Sequence, residues 1–179
     1  KWKLYADGSV SSPKNVQDVL VVPGGWACIL RRGDPPQEIV SYGSEMTIPN
    51  VWRMEMKAII HGLQLAGEGS HVRIFGDNLG TLGSILATVD ATEIQRILET
   101  MEPFEKKQIY RKQLMQLLND KPQYQRKGVS HVVSGAREDE DVLRELAKVL
   151  PNREIEFTKV SDMRVDEGRK KFPMHERCD

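Results

Sequence analysis

Apolar and polar positions alternate from the start of the chain. Trp2, Leu4 and Ala6 fall on one face of an extended strand, and Lys3 and Tyr5 on the other. Asp7 joins the Lys3/Tyr5 face, and Asp7-Gly8-Ser9 reads as a turn closing the strand. A polar loop follows at residues 11–15, then a short apolar insert at 19–22. Residues 24–31 predict a second strand, 33–36 a turn, and 38–43 a third strand, which closes an antiparallel meander. After Pro49-Asn50 the period changes. Met56, Ile59, Ile60 and Leu63 recur at helical spacing, with Glu55 in the first turn and off the apolar stripe. Residues 71–75 form a short apolar strand that ends at Gly76-Asp77-Asn78. Strand, helix, strand in this order implies a parallel pairing through a crossover.

Residues 81–118 carry a helical pattern broken at Pro103. Residues 119–137 are loop-like, with an extended piece at 129–133. Residues 138–150 predict a helix carrying Val142, Leu146, Val149 and Leu150, and 152–160 a last alternating strand. The polar, charged stretch at 161–178 predicts a mobile loop. The expectation is one domain over 1–179 with a helical elaboration at about 83–137.

Composition narrows the class. The chain has 179 residues, 29% charged and 39% hydrophobic. This is the profile of a globular domain able to bury roughly two-thirds of its unfolded surface. No apolar run reaches the length of a membrane span, so no membrane partner is expected. The chain starts at Lys-Trp-Lys, with no initiator Met or signal-peptide core, as an excised piece of a larger polypeptide or complex would. Cys28 and Cys178 fit neither a zinc spacing nor a disulfide framework, so an intracellular location, cytoplasmic or nuclear, is expected. The net charge is zero, but Lys106, Lys107, Arg111 and Lys112 lead a basic run. It reads either as a solvated helix face or as a patch able to meet phosphates.

Three acids stand out by position. Strand-borne Asp7, helix-borne Glu55 and strand-borne Asp77 are distant in sequence, yet the inferred topology makes their carriers neighbours. Converging carboxylates repel unless a cation neutralises them. Hard oxygen ligands suit Mg²⁺ or Mn²⁺, and such a site suits two-ion phosphodiester hydrolysis. Singly, each acid has a plainer reading: Asp7 as a turn residue, Glu55 as a helix-dipole acid, Asp77 as a helix cap. His61 and His71 read as incidental, Trp52 as packing and Arg53 as an anchor of the helix start.

The order Tyr5-Ala6-Asp7-Gly8-Ser9, Gly24-Gly25-Trp26-Ala27-Cys28-Ile29-Leu30, Trp52-Arg53-Met54-Glu55-Met56-Lys57-Ala58 and Ile74-Phe75-Gly76-Asp77-Asn78 resembles type 1 ribonuclease H. The resemblance covers roughly residues 3–82 and 138–179, with Arg-Met-Glu at the helix start its most specific piece. It implies an α/β, ribonuclease H-like fold: a mixed five-stranded sheet, three antiparallel strands and then parallel ones, flanked by helices. It also implies a metal-dependent endonuclease hydrolysing the RNA strand of RNA–DNA hybrids with two Mg²⁺ ions, for which Mn²⁺ can substitute, leaving 5′-phosphate and 3′-hydroxyl ends. Asp7 would bridge both ions, Glu55 and Asp77 hold one side, and a fourth Asp the other.

Two placements compete for that fourth acid. In the preferred one, residues 173–179 match and Asp179 is the ligand, which keeps 154–160 as the last strand. In the other, Asp141 with His131 mimics the family's loop His and Asp. Under the first placement Arg169 falls where the family has a His. Arginine cannot act as a base, so His175 is an auxiliary candidate beside it. The resemblance also implies substrate contacts from Gly8, Ser9, Asn50, Trp52 and Asn78, and from a basic protrusion at Lys106, Lys107, Arg111 and Lys112. Leu79 stands where the family commonly has Gln, and Val51-Trp52 precede Arg53 where it has Asn. Two alternatives stay open: a DNA-acting nuclease of the same fold, resolvase- or transposase-like, and a non-catalytic scaffold domain of a larger protein.

Overall fold

The computed structural model describes residues 1–11, 22–47, 51–120 and 140–160. Alternation at the N-terminus produces β1 (Trp2–Val10), which pairs antiparallel with β2 (Val22–Arg32), itself antiparallel to β3 (Gln37–Thr47). Helix α1 (Val51–Ala66) then crosses to β4 (His71–Gly76), which lies parallel to β1. Helices α2 (Leu79–Leu86), α3 (Ala91–Thr100), α4 (Lys107–Asp120) and α5 (Glu140–Val149) follow, before β5 (Glu154–Lys159) pairs parallel with β4. The sheet order is β3-β2-β1-β4-β5, the mixed five-stranded arrangement expected from the sequence.

The even positions of β1 enter the main core. Trp2, Leu4 and Ala6 are buried there with Leu30, Ile74 and Phe157. The α1 stripe of Met56, Ile59, Ile60 and Leu63 packs on the same face. Gly62 lets the helix sit down on β1, since a Cβ there would lie 2.3 Å from Leu4 Cδ1. The odd positions build a smaller cluster on the opposite face, where Tyr5 stacks on Phe75 with ring centroids 4.6 Å apart, beside Ile29. One-residue alternation thus assigns β1 to two cores, which leaves its register no freedom to slip.

Three expectations change. Asp7-Gly8-Ser9 is not a turn: β1 continues to Val10, and Asp7, Gly8 and Ser9 pair with Ala27, Trp26 and Gly25. Helix α1 begins at Val51, so Glu55 is past its first turn. The predicted helical span 81–118 breaks at Pro103 as expected, and breaks once more between α2 and α3, where Asp90 caps a new helix. The Asn78 side chain accepts from Gly80 N at the start of α2, and Asp90 accepts from Glu93 N at the start of α3. Asn78, not Asp77, is thus the helix cap. The predicted extended piece at 129–133 and the loop at 161–178 lie outside the described residues. Among the described residues, no helix is long and apolar enough to cross a membrane.

Candidate active site

Strands β1 and β4 run parallel, with Tyr5 opposite Phe75. Asp7 and Asp77 each lie two residues further along, so the two strands deliver them to the same end of the sheet. Helix α1 brings Glu55 there by direct backbone contact. A Cβ on Gly8 would stand 2.5 Å from Glu55 N, Met54 C and Met54 Cβ, so only glycine permits this approach of helix to strand. Glycine is needed here for closeness, not for a turn. Its own N–H donates to Asp7 Oδ1 at 2.8 Å.

Among the described residues, Glu55 is the acid with the largest shift. Burial, and then the Asp77 carboxylate, push its pKa from 4.5 up to about 7, against the opposing effect of a hydrogen bond from Thr81. Thr81 Oγ1 donates to Glu55 Oε2 at 3.0 Å, and Thr81 is itself buried on α2. The proton is held more tightly folded than unfolded. The folded chain therefore carries the extra proton between about pH 4.5 and 7, and stability falls as pH rises through that window. Unfolding of wild type and Glu55→Gln in metal-free buffer tests this. Between pH 5 and 8 the wild type should lose on the order of 2 kcal/mol relative to the variant, after allowance for partial solvation of the group. Parallel stability curves for the two proteins would show that Glu55 ionises normally.

A groove of about 270 Å³ opens beside Asp7, lined by Asp7, Gly8 and Ser9 together with Trp26 of β2 and Tyr42 of β3. Asp7, Ala27 and Tyr42 form one cross-strand row, which is why the third strand reaches the site. Tyr42 is 81% exposed. Sequence reasoning did not single out Tyr42 or Thr81. Only the strand register and the α1–α2 packing connect them to Asp7 and Glu55.

The other expected site residues divide. Ser9 is exposed on the groove. Trp52 packs against the main core, with its indole N–H donated to Ser84 Oγ at 2.9 Å, the packing role expected of it. Lys107 Nζ donates to Glu99 O at 3.3 Å, and Arg111 donates to Gln95 Oε1 at 3.1 Å, so both lean back onto α3. Lys106 and Lys112 are exposed. Asn50, His131, Arg169, His175 and Asp179 lie outside the described residues.

Asp141 is placed, on the first turn of α5. Arg53 donates to both its oxygens at 2.8 Å and to Glu45 Oε1 at 3.1 Å. The Arg53 hydrogen bond holds the Asp141 pKa below its ordinary value. Lys57 and Arg53 together hold Glu45 low against the opposing effect of burial. Arg53 thus pins α1 to β3 and α5, the anchoring role expected of it, and Asp141 is committed to that bidentate pair. Because α5 precedes β5, a ligand after the last strand remains available to Asp179 in chain order.

Among the described residues, the trio whose ligand atoms lie within 4.8 Å of one another is His71, Glu154 and Glu156, where β4 and β5 begin, away from the Asp77 end of β4. Arg73 lies 2.6 Å from Glu156 Oε2, and Lys1 also pairs with Glu156. This cluster is neutralised by the chain's own cations.

Residues 1–156 match the family model described as RNase H. The chain belongs to the RNase H family. A ribonuclease H of Syntrophomonas wolfei is 31% identical to this RNase H-family chain over 83 residues, which are 46% of this chain and 50% of that protein. The chain thus spans about half the length of that curated relative. RNase H1 of Halobacterium salinarum NRC-1 is 15% identical, with 99% of this chain and 91% of that one covered, at a TM-score of 0.42. The N-terminal RNase H domain of rv2228c from Mycobacterium tuberculosis is 12% identical over 91% of this chain and 88% of that one, at a TM-score of 0.44. A prototype foamy virus protease-reverse transcriptase is 13% identical, with all of this chain and 20% of that one covered, at a TM-score of 0.48.

Proposed function

We propose that this chain hydrolyses the RNA strand of RNA–DNA hybrids endonucleolytically, with two divalent ions held by Asp7, Glu55, Asp77 and Asp179. The observation that carries the reading is that β1, α1 and β4 bring the backbones bearing Asp7, Glu55 and Asp77 to one end of an RNase H-family sheet, with Asp77 close enough to raise the Glu55 pKa. The donor set fits hard divalent cations: it is all carboxylate, and Glu55 is held protonated up to about pH 7 by burial and by Asp77. A cation there would relieve both penalties.

When bound, Mg²⁺ or Mn²⁺ supplies water activation near neutral pH and charge neutralisation at the leaving oxygen. The chain does the rest. The β1–β4 pairing sets the spacing of Asp7 and Asp77, and α1 sets Glu55 above them. The groove with Ser9, Trp26 and Tyr42 offers a hydroxyl, an indole and an exposed phenol ring beside Asp7. A hydroxyl next to a carboxylate site suits contact with a sugar 2′-hydroxyl, the group that separates RNA from DNA. Of the four basic residues, Lys106 and Lys112 are exposed and free to meet phosphates beside the helix that packs on α2, whereas Lys107 and Arg111 would have to leave their α3 partners to do so.

One experiment separates the readings. The chain is incubated with hybrid, duplex DNA and duplex RNA of one sequence, in Mg²⁺ and in EDTA. Cleavage of the RNA strand of the hybrid alone, abolished by EDTA, is expected. Cleavage of duplex DNA instead would favour a DNA-acting nuclease. No cleavage of any substrate, together with no calorimetric Mn²⁺ binding, would leave a scaffold domain.

A further inference from the structure

Two side-chain hydrogen bonds join α1 to α2 in matching register. Trp52 and Glu55 stand three residues apart on α1, and Ser84 and Thr81 stand three apart on α2. Trp52 Nε1 donates to Ser84 Oγ at 2.9 Å, and Thr81 Oγ1 donates to Glu55 Oε2 at 3.0 Å. Ser84 Oγ in turn donates to Gly80 O at 3.1 Å, which ties the ladder to the backbone of the first turn of α2. Both α2 partners are buried: Ser84 is fully enclosed and Thr81 is 3% exposed. Residues three apart on a helix share a face, so the two bonds form one ladder along the helix contact. Helix α2 starts immediately after Asp77 and Asn78, with Asn78 capping it. The ladder therefore links the Glu55 carboxylate rigidly to the segment that carries Asp77.

We infer that Thr81 is a positioning residue, whose hydroxyl fixes the rotation of the Glu55 carboxylate and sets it against Asp77 for divalent-ion binding. With Oε2 held by the Thr81 hydroxyl, the remaining oxygen is presented in one direction instead of sweeping about the terminal bond. An isolated glutamate on a helix has three side-chain torsions to freeze before it can ligate. Thr81 removes the last of them in advance, and burial of Thr81 keeps water from competing for the same oxygen. Neighbouring residues cannot supply this bond. Leu82, Ile85 and Leu86 of α2 are apolar, and the Ser84 hydroxyl is bonded to Trp52 and Gly80.

The inference rests on the reading of Asp7, Glu55 and Asp77 as a cation site, and its test is arranged to fail separately from that reading. Mn²⁺ binding is measured by calorimetry on wild type, Asp7→Asn, Thr81→Val and Thr81→Ser, with kcat and KM on the hybrid measured alongside. Thr81→Val keeps the shape and loses the hydroxyl, and Thr81→Ser keeps the hydroxyl. Thr81→Val should weaken Mn²⁺ binding by about 10-fold or more and lower kcat with KM for hybrid unchanged, whereas Thr81→Ser should recover most of both. Should Thr81→Val not fold, Thr81→Ala also removes the hydroxyl, without placing a methyl group in its position. Normal Mn²⁺ affinity in Thr81→Val, with Asp7→Asn unable to bind, would overturn the role of Thr81 and leave the cation site standing. Equal losses in Thr81→Val and Thr81→Ser would also overturn it, because packing and not the hydroxyl would then be responsible. Absence of Mn²⁺ binding in wild type would overturn the site reading, and the inference with it.

Discussion

Replacing Asp7 by Asn is expected to reduce divalent-ion-dependent cleavage of the RNA strand of a hybrid by about 10³-fold or more, with the fold intact. Asn keeps the size and one side-chain oxygen of Asp. That oxygen can still accept from Gly8 N, the 2.8 Å contact seen for Asp7 Oδ1. The β1–β2 pairing at Asp7 and Ala27 uses backbone groups alone and is untouched. What disappears is one negative charge from a cluster whose proposed task is to hold two cations. Loss of a ligand shared between both ions costs more than loss of a ligand to one. Asp7→Asn should therefore be more damaging than the same change at Asp77, and calorimetry should show no Mn²⁺ binding. Circular dichroism and urea unfolding report whether the fold survives. A folded variant with undiminished cleavage would remove Asp7 from the chemistry altogether.

Gly8→Ala should have the largest structural effect of any single methyl group added at the site, about 3 kcal/mol of lost stability. The added Cβ would stand 2.5 Å from Glu55 N and Met54 C, which are backbone atoms of α1 and cannot rotate aside. The strand has no room to retreat either. Its alternate residues are locked into the main core through Leu4 and Ala6, and into the smaller cluster through Tyr5. Helix α1 must therefore lift, and Glu55 lifts with it. Urea unfolding measures the first effect. Calorimetric Mn²⁺ titration of the folded fraction measures the second, with an affinity loss expected beyond that of a surface substitution. Wild-type stability in Gly8→Ala would show that α1 and β1 do not meet at this glycine. The neighbouring variant Ser9→Ala, on an exposed position of the same strand, is the control for strand propensity alone.

The conformation of this tripeptide shows where a local reading fails. Asp-Gly is a common turn signal, and β1 alternates up to Ala6, so a turn at Gly8 was the economical local reading. The strand continues because Asp7, Gly8 and Ser9 find partners in β2, a pairing that spans the residues between the strands. No pattern within nine residues reports such a partner. Glu55 shows the same limit: the apolar stripe marked the helix, but its beginning at Val51 is set by packing beyond the stripe. Arg53 and Asp141, 88 residues apart, become a bidentate pair only when α5 is laid against α1. That pairing engages Asp141, which the sequence offered as an alternative metal ligand with His131. Asp179, the preferred fourth acid, lies outside the described residues, so its role stays with the proposal.

By itself the sequence determined the element types, the chain order from meander to crossover to last strand, and the acids each element carries. These follow from periodicity and residue chemistry, which are local properties of a chain. Tertiary structure decided which groups meet. It made Gly8 a contact surface, turned Trp52 toward Ser84, joined Thr81 to Glu55, and brought Tyr42 of the third strand to the groove beside Asp7. The physical reason is that burial can be read from alternation, since it concerns one face of one element. A hydrogen bond between two elements depends on the register and approach of both, and these are set by the whole core at once.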